Sequence, residues 1–380
     1  MSEVFENNLK IGVLGGGQLG RMLYHRATHL NVDISFMDPD KFAPCNGISQ
    51  KFVVGDLNNY NHVMEFCKNL DVVSIEIENV NVEALQDLQN QGKKVYPQPE
   101  VIKLIKDKGA QKLFYQSNNI PTAPFYLIDD ISELNTHLSS FPMVQKMRSG
   151  GYDGKGVTIL KDESSLQNAF PGPTLLEEKI PFIKELSVLI ARNSKGETVT
   201  YPIVEQEFNE EANLVELLFA PSDVSEAIEL KAKEIAENII ASLDMIGLLA
   251  VELFLTADGD LLVNEIAPRP HNSGHHTIEA NYESQYGQLL RCLLDFPLGS
   301  SSIISPAVMI NLLGEKGYEG LAKYEGLKEV SKLPGVFVHL YGKKTTKPFR
   351  KMGHVTILAS TIQEAREIAL KVKNTLKVIA

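Results

Sequence analysis

Residues 250–268 leave the chain few ways to fold. The run AVELFLT leads into Ala257-Asp258-Gly259-Asp260 and out through LLVNEIAP, and Asp-Gly between runs of period-2 hydrophobicity is a strong signal for a tight β-hairpin. If Asp258 and Gly259 form a two-residue loop, Ala257 faces Asp260, and counting outward sets Glu252 opposite Glu265 on one face. Directly opposed side chains stand about 5 Å apart at Cβ, and like charges there destabilise the pair unless something neutralises them. A bound cation is the economical explanation. Oxygen-only ligands suit Mg²⁺, which takes one or two carboxylates and completes its shell with water and nucleotide phosphates. The alternative is an exposed strand face on which both carboxylates stay solvated.

A second segment favours the cation. Residues 142–160, PMVQKMRSGGYDGKGVTIL, place two β-prone runs around Arg148-Ser149-Gly150-Gly151-Tyr152-Asp153-Gly154-Lys155-Gly156. Such a glycine-rich connection lays backbone N–H groups along phosphate oxygens, and Lys146 and Lys155 add charge at either end. Gly, Asp and Ser also suit an ordinary hairpin connection. A two-residue turn would have sufficed for that, so the extra length and the flanking cations favour a phosphate lid.

A chain of 380 residues exceeds what one core usually holds, so two or three domains are expected. With 48 acidic against 37 basic residues the net charge is −11, which opposes any general attraction to nucleic acid or anionic lipid. Cys45, Cys67 and Cys292 are too few and too scattered for a disulfide framework or a zinc knuckle, and buried thiols in a reducing compartment are expected. The first ten residues lack a basic and an apolar signal region, and no apolar run approaches membrane-spanning length. The expectation is a cytoplasmic protein that engages neither membrane nor nucleic acid.

The apolar runs IGVLG, ISFMD, KFVVG and VVSIEI alternate with helical-period stretches at 18–30, 60–70 and 82–91, the pattern of a parallel βα sheet. Pro97-Gln98-Pro99 and the basic segment to Lys108 read as the exit from this unit, with a second unit starting near Asp107. That unit carries the glycine-rich loop, the β runs TLLEEKI, ELSVLIAR, TVTYPIV and LVELLF, and a helix over about 224–243. In the helix, Ile228, Ala232, Ile235, Ile239 and Leu243 form an apolar stripe expected to pack beneath the carboxylate hairpin. After the stretch 297–302 comes a smaller unit with strands AVMINLL, VFVHLY and HVTILA and a final helix over 362–375.

Gly15-Gly16-Gly17-Gln18-Leu19-Gly20, with Asp38 at the end of the next strand, fits the dinucleotide fingerprint and taken alone favours an NAD-dependent oxidoreductase. The same turn serves any phosphate at a helix N-terminus. Nothing later supplies a hydride-transfer site, so it is read as a substrate-phosphate or purely structural turn. Beyond Glu265, two prolines hold Arg269 in a stiff stretch beside the expected cation, where a guanidinium suits a small planar anion such as bicarbonate. His271 and His275 are four apart, but zinc is disfavoured because the segment reads as loop and no cysteine is near. The run 341–351 is rich in cations and is either a solvated turn or a local phosphate clamp.

Together GGGQLGRM, EIEN, GGYDGKG, NEIAPRPHNSGHHT, AVMINLLG and RKMGH span nearly the whole chain. On them the chain resembles the ATP-grasp enzymes, and within these the N5-carboxyaminoimidazole ribonucleotide synthetase family. The resemblance implies an α/β and α+β architecture: a Rossmann-like preATP-grasp domain (1–107), a central ATP-grasp domain with a mobile lid (108–300) and a small C-terminal α+β domain (301–380), usually in a homodimer. It implies the carboxylation of 5-aminoimidazole ribonucleotide by bicarbonate and ATP through carboxyphosphate. Lys108, Lys146, Gly151, Tyr152, Asp153, Gly154, Lys155, Gly156, Val157, Glu177, Glu178, Lys179, Ile180, Glu185, Asn264 and Glu265 would meet ATP. Glu252 and Glu265 would hold Mg²⁺, with Mn²⁺ as an alternative. Asp153, Arg269 and His271 would be catalytic, and Gln18, Glu76, Tyr152, Lys155, Lys343, Arg350 and Lys351 would meet the ribonucleotide. Relatives that share the ATP-grasp site but use another acceptor, such as formate-dependent transformylases and biotin carboxylases, usually run longer and lack the GGYDGKG and HNSGHH combination. Two positions depart from the family pattern: Lys108 stands where many members carry Arg, and Phe208 falls near a common His.

Overall fold

The computed structural model describes residues 8–151, 156–209 and 214–380. The chain opens with β1 (Ile11–Leu14), α1 (Gln18–Thr28), β2 (Ile34–Asp38), β3 (Phe52–Val54), α2 (Tyr60–Cys67), β4 (Val72–Ile75), α3 (Val82–Asn90) and β5 (Lys94–Val95). The strands form one parallel sheet in the order β3-β2-β1-β4-β5. Every residue of β1 and β4 is buried, as apolar runs in a parallel sheet covered on both faces require. Asn59 and Asn81 start α2 and α3 by accepting hydrogen bonds from His62 N and Ala84 N.

The expected exit from this unit is itself a helix, α4 (Pro99–Ile105). Proline fits the first helical position because its missing N–H would have had no partner there. Ile102 packs into the core of the first sheet, whereas Val101 and Ile105 face the next core, so α4 joins the two. Asp107 then caps α5 (Lys108–Ser117), accepting from Gly109 N at 2.8 Å and Ala110 N at 3.2 Å, and Arg148 pairs with the same carboxylate.

Next, β6 (Phe125–Ile128), β7 (Met143–Met147), β8 (Val157–Leu160) and β9 (Thr174–Glu178) make an antiparallel sheet in the order β6-β9-β7-β8. A larger sheet begins with β10 (Phe182–Arg192), β11 (Thr198–Thr200), β12 (Val204–Asn209) and β13 (Leu214–Ala220). The run TVTYPIV is therefore two strands, because Pro202 has no N–H for a ladder. Helix α6 (Glu226–Ser242) precedes β14 (Gly247–Thr256) and β15 (Leu261–Ala267). Ala232, Ile235 and Ile239 pack with Leu186, Val188, Val251 and Val263 as the stripe predicts, while Ile228 and Leu243 at its ends are only partly covered.

Short α7 (Thr277–Ala280) and α8 (Gln285–Leu294) follow, then β16 (Ala307–Leu313), β17 (Gly320–Leu321), β18 (Lys323–Glu325), α9 (Leu327–Val330), β19 (Val336–Leu340), β20 (Thr345–Thr346), β21 (Lys351–Leu358), α10 (Ile362–Thr375) and β22 (Lys377–Ile379). β17 pairs with β20, and β18 with β22. The longer C-terminal strands β16, β19 and β21 do not form a separate sheet. β16 pairs with β13, giving the continuous order β15-β14-β10-β12-β13-β16-β21-β19, with β11 on β10. Among the described residues no helix is long and apolar enough to cross a membrane.

Candidate active site

β14 and β15 pair with Glu252 opposite Glu265, but not through the expected turn. Thr256 N donates to Asp260 O at 2.9 Å, so the loop holds three residues, Ala257 to Gly259, with Gly259 at φ 83°. Ala257 does not face Asp260. The ladder then runs Leu255 to Leu261, Phe254 to Leu262 and Leu253 to Val263, one residue off the two-residue count. Asn264 is the extra residue that restores the register at Glu265. A bulge of this kind re-aims side chains. Burial shows it: the alternation along β15 breaks at Asn264 and Glu265, which are consecutive and both half-buried. Lys146 Nζ donates to Asn264 Oδ1 at 2.9 Å, and Lys108 pairs directly with Glu265.

Three lysines and four carboxylates share this floor. Lys108 and Lys112 lie one turn apart on α5, the spacing that puts side chains on one helix face. Lys112 pairs directly with Glu177, and Lys146 Nζ reaches the other oxygen of that carboxylate at 2.6 Å. Burial alone would raise Glu177, but the two ammoniums hold it below the usual carboxylate range. The Lys108 ammonium holds Glu265 down, although 41% of that side chain remains open to solvent. Burial, and then the charge of Glu265, push Glu252 up. Burial likewise raises Glu185, to about 7. The opposed carboxylates are therefore electrostatically unequal, and the one without a lysine partner is the one that resists ionisation.

The remaining expected residues lie around this floor. β7 and β8 bracket the glycine-rich connection, with Lys146 opposite Val157, Met147 N donating to Gly156 O at 2.8 Å, and Gly150 and Gly156 at positive φ. Gly151 lies at its near end. Tyr152, Asp153, Gly154 and Lys155 lie outside the described residues. Glu178, Lys179 and Ile180 carry the chain from β9 to β10, with Glu178 exposed beside buried Glu177. His271 Nε2 is 3.8 Å from Glu252, and its Nδ1 is 2.9 Å from Ser273 Oγ. Arg269 Nε lies 2.8 Å from Glu78 Oε1, and its Nη1 donates to Pro270 O. Phe208 follows an irregularity in the β12–β13 ladder. His275 is 1% exposed and contacts Tyr286 and Gln285, and no group of three or more His, Cys, Asp or Glu suited to a metal occurs among the described residues.

The glycine turn before α1 is closed by the protein's own carboxylates. Gly15 N donates to Met37 O, Gly16 N to Asp38 Oδ2 at 2.8 Å, Gly17 N to Glu76, and Leu19 N to Glu76 Oε1 at 3.0 Å. Asp38, which would hold a ribose in a dinucleotide site, thus caps the turn. These carboxylates give the turn a structural role. Gln18 starts α1 beside it. In the cationic run, Lys343 Nζ donates to Lys351 O at 2.8 Å, and Arg350 Nη1 to Thr345 O at 2.9 Å. Gly342 there lies against Arg21 of α1: a Cβ at Gly342 would stand 3.4 Å from Arg21 Nη1.

Sequence reasoning missed Lys112, Glu78 and Arg21. Each had a signal. Lys112 is four residues after Lys108, Glu78 is two after Glu76, and Arg21 belongs to GGGQLGRM.

Comparison with known proteins agrees with this architecture. Residues 9–106 match the ribonucleotide synthetase preATP-grasp domain, 113–286 the ATP-grasp domain and 307–368 the phosphoribosylaminoimidazole carboxylase C-terminal domain. The chloroplastic phosphoribosylaminoimidazole carboxylase of Vigna aconitifolia is 37% identical over 361 residues, which are 93% of this chain but 64% of that longer protein. The crystal structure of N5-carboxyaminoimidazole ribonucleotide synthetase from Thermotoga maritima is 40% identical, with a TM-score of 0.91 over 98% of this chain and 99% of that one. The Aspergillus clavatus N5-carboxyaminoimidazole synthase in complex with ADP and 5-aminoimidazole ribonucleotide is 32% identical, with a TM-score of 0.88 over 97% of this chain and 98% of that one. The three-part ATP-grasp architecture is thus shown, and the chain belongs to the N5-carboxyaminoimidazole ribonucleotide synthase family of ATP-grasp ligases.

Proposed function

We propose that the protein carboxylates the exocyclic amine of 5-aminoimidazole ribonucleotide with bicarbonate at the expense of ATP, a step of purine biosynthesis. The observation that carries this reading is the Glu252/Glu265 pair set among Lys108, Lys112, Lys146 and Glu177, beside the glycine-rich β7–β8 connection. Opposed carboxylates with no third acidic, His or Cys ligand among the described residues fit a Mg²⁺ ion that shares its shell with nucleotide phosphates, or Mn²⁺ in its place. When bound, that ion balances charge on the transferring phosphoryl group.

The protein's own groups have four tasks. Lys146, and Lys108 beside Glu265, offer positive charge to the phosphates, with Asn264 fixing Lys146. Arg269, oriented by Glu78 and by Pro270 O, holds bicarbonate. Bicarbonate oxygen attacks the terminal phosphoryl group, giving carboxyphosphate and ADP. Carboxyphosphate is short-lived in water, so the connection over 150–156 closes before the amine adds to its carbon or to the CO₂ it releases. The C–N bond forms, phosphate leaves, and one proton departs from the amine. Asp153 is assigned to hold that amine and His271 to steer the proton.

Glu185, Glu178, Lys179 and Ile180 belong to the nucleotide side in this reading. Gln18, Glu76, Tyr152, Lys155, Lys343, Arg350 and Lys351 belong to the ribonucleotide side. Division at 107/108 and 300/301, a homodimer and a cytoplasmic setting are part of the same proposal; three buried free thiols support the last. Purified protein with MgATP and bicarbonate is expected to release ADP in a manner that requires fresh 5-aminoimidazole ribonucleotide. No stimulation, with MgATP binding demonstrated, would point to another acceptor.

A further inference from the structure

Lys112 has no place in the contact set just described, yet it is 2% exposed and lies one turn from Lys108 on α5. Its ammonium touches Glu177 Oε1 directly and reaches Thr122 Oγ1 at 2.5 Å; that hydroxyl donates onward to Val263 O at 2.6 Å. The other oxygen of Glu177 holds Lys146 Nζ, on the strand that leads into the glycine-rich connection. One buried carboxylate therefore stands between two ammoniums. The lower one faces protein, and the upper one, with 11% of its side chain exposed, faces the site.

The arrangement changes what Lys146 can do. A lone Lys146–Glu177 pair would be neutral, and in a poorly screened interior its attraction would hold the ammonium against Glu177 when a phosphate approached. A second ammonium on the far oxygen cancels that attraction. The group of three then carries one net positive charge, displayed at Lys146. An apolar side chain would fill the same volume without the cost of burying a charge, so filling space does not explain a lysine here.

We infer that Lys112 is a positioning residue for nucleotide binding: it neutralises Glu177 from beneath, so that Lys146 presents an uncompensated charge to a phosphate oxygen. The inference rests on the proposed reading of Lys146 as a phosphate contact.

The test is a charge cycle in the full-length protein, reading kcat, KM for MgATP and the Kd of MgADP. Lys146→Ala is the control for the reading beneath. If it leaves KM and Kd unchanged, Lys146 is not a phosphate contact and the inference falls with that reading. If it weakens binding, Lys112 is tested on its own. Lys112→Met is expected to raise KM and Kd about tenfold with a smaller change in kcat, as removal of one partner of a buried charge pair does. Lys112→Arg, which keeps the charge, is expected to stay within about threefold of the native protein. Lys112→Met with Glu177→Gln restores the single positive charge and, read against Glu177→Gln alone, is expected to bind nucleotide within about threefold of that reference. This double variant has no buried unpaired carboxylate, so it remains informative if Lys112→Met alone does not fold. Nucleotide binding about tenfold weaker in the double variant than in Glu177→Gln, or native binding in Lys112→Met, would reduce Lys112 to packing.

Discussion

Glu252 and Glu265 face each other across one strand pair, yet among the described residues only Glu265 has a lysine against it. Their unequal environments suggest unequal sensitivity to substitution. Glu265→Gln leaves Lys108 without its partner and removes a proposed cation ligand, so ADP release is expected to fall at least about 100-fold, the scale of losing a preorganised electrostatic group. Asp153→Ala is expected to raise KM for the ribonucleotide more than that for MgATP. Steady-state kinetics on both variants check these outcomes, and an unaltered rate in Glu265→Gln would dismantle the carboxylate assignment. At this scale the sequence was legible by counting, because period-2 patterning fixes which residues share a face. It was not legible in detail. The expected loop was one residue too short, and the bulge at Asn264 compensated for it. The loop length leaves no mark in hydrophobic periodicity, and the bulge leaves only a short one, the consecutive polar pair Asn264-Glu265 between Val263 and Ile266. Lys112 was missed for a related reason: a lysine reads as solvent-facing until its buried carboxylate partner is known.

Among the elements, α1 and α8 are tied by Glu283, which takes Arg26 on one side and Arg291 on the other and keeps only 7% of its side-chain surface exposed. Burial alone would raise the Glu283 carboxyl, but the two guanidiniums hold it below its ordinary value. A depressed carboxylate adds stability that is present above the unfolded pKa of about 4.3 and is lost as pH falls through the folded value. Glu283→Gln is therefore expected to cost about 3–5 kcal/mol at pH 7, through two arginines left unpaired. The gap between native and variant should close in acid, and chemical denaturation at pH 7 and at about pH 3.5 reads it. A gap that persists in acid would assign the effect to packing. Ile239 at the centre of the α6 stripe is fully buried, and Ile239→Ala is expected to lose about 2–5 kcal/mol in the same assay. Helix α6, the first βα alternation and α10 were legible because each is a local pattern of one period. The pairing of β13 with β16 was not: Ala220 meets Ala307 across most of a domain's length of chain, and local periodicity carries no record of distant partners.

Over the whole molecule, the proposed reaction needs groups from each part of the chain. Glu78, in the bend after β4, meets Arg269 beyond the carboxylate hairpin, and Arg21 of α1 lies against Gly342 at the start of the C-terminal cationic run. One sheet passes from the hairpin to the C-terminal strands without a break. The parts that the proposal assigns to nucleotide, bicarbonate and ribonucleotide are thus held in one frame, in a chain whose net charge of −11 leaves anion binding to such local clusters. The most direct measurement of the central claim is the fate of labelled bicarbonate. With MgATP and 5-aminoimidazole ribonucleotide, the account predicts that ADP, phosphate and an acid-labile labelled carbamate appear in equal amounts, and that none accumulates when the ribonucleotide is omitted. ADP released without trapped label, or label trapped without ADP, would contradict it.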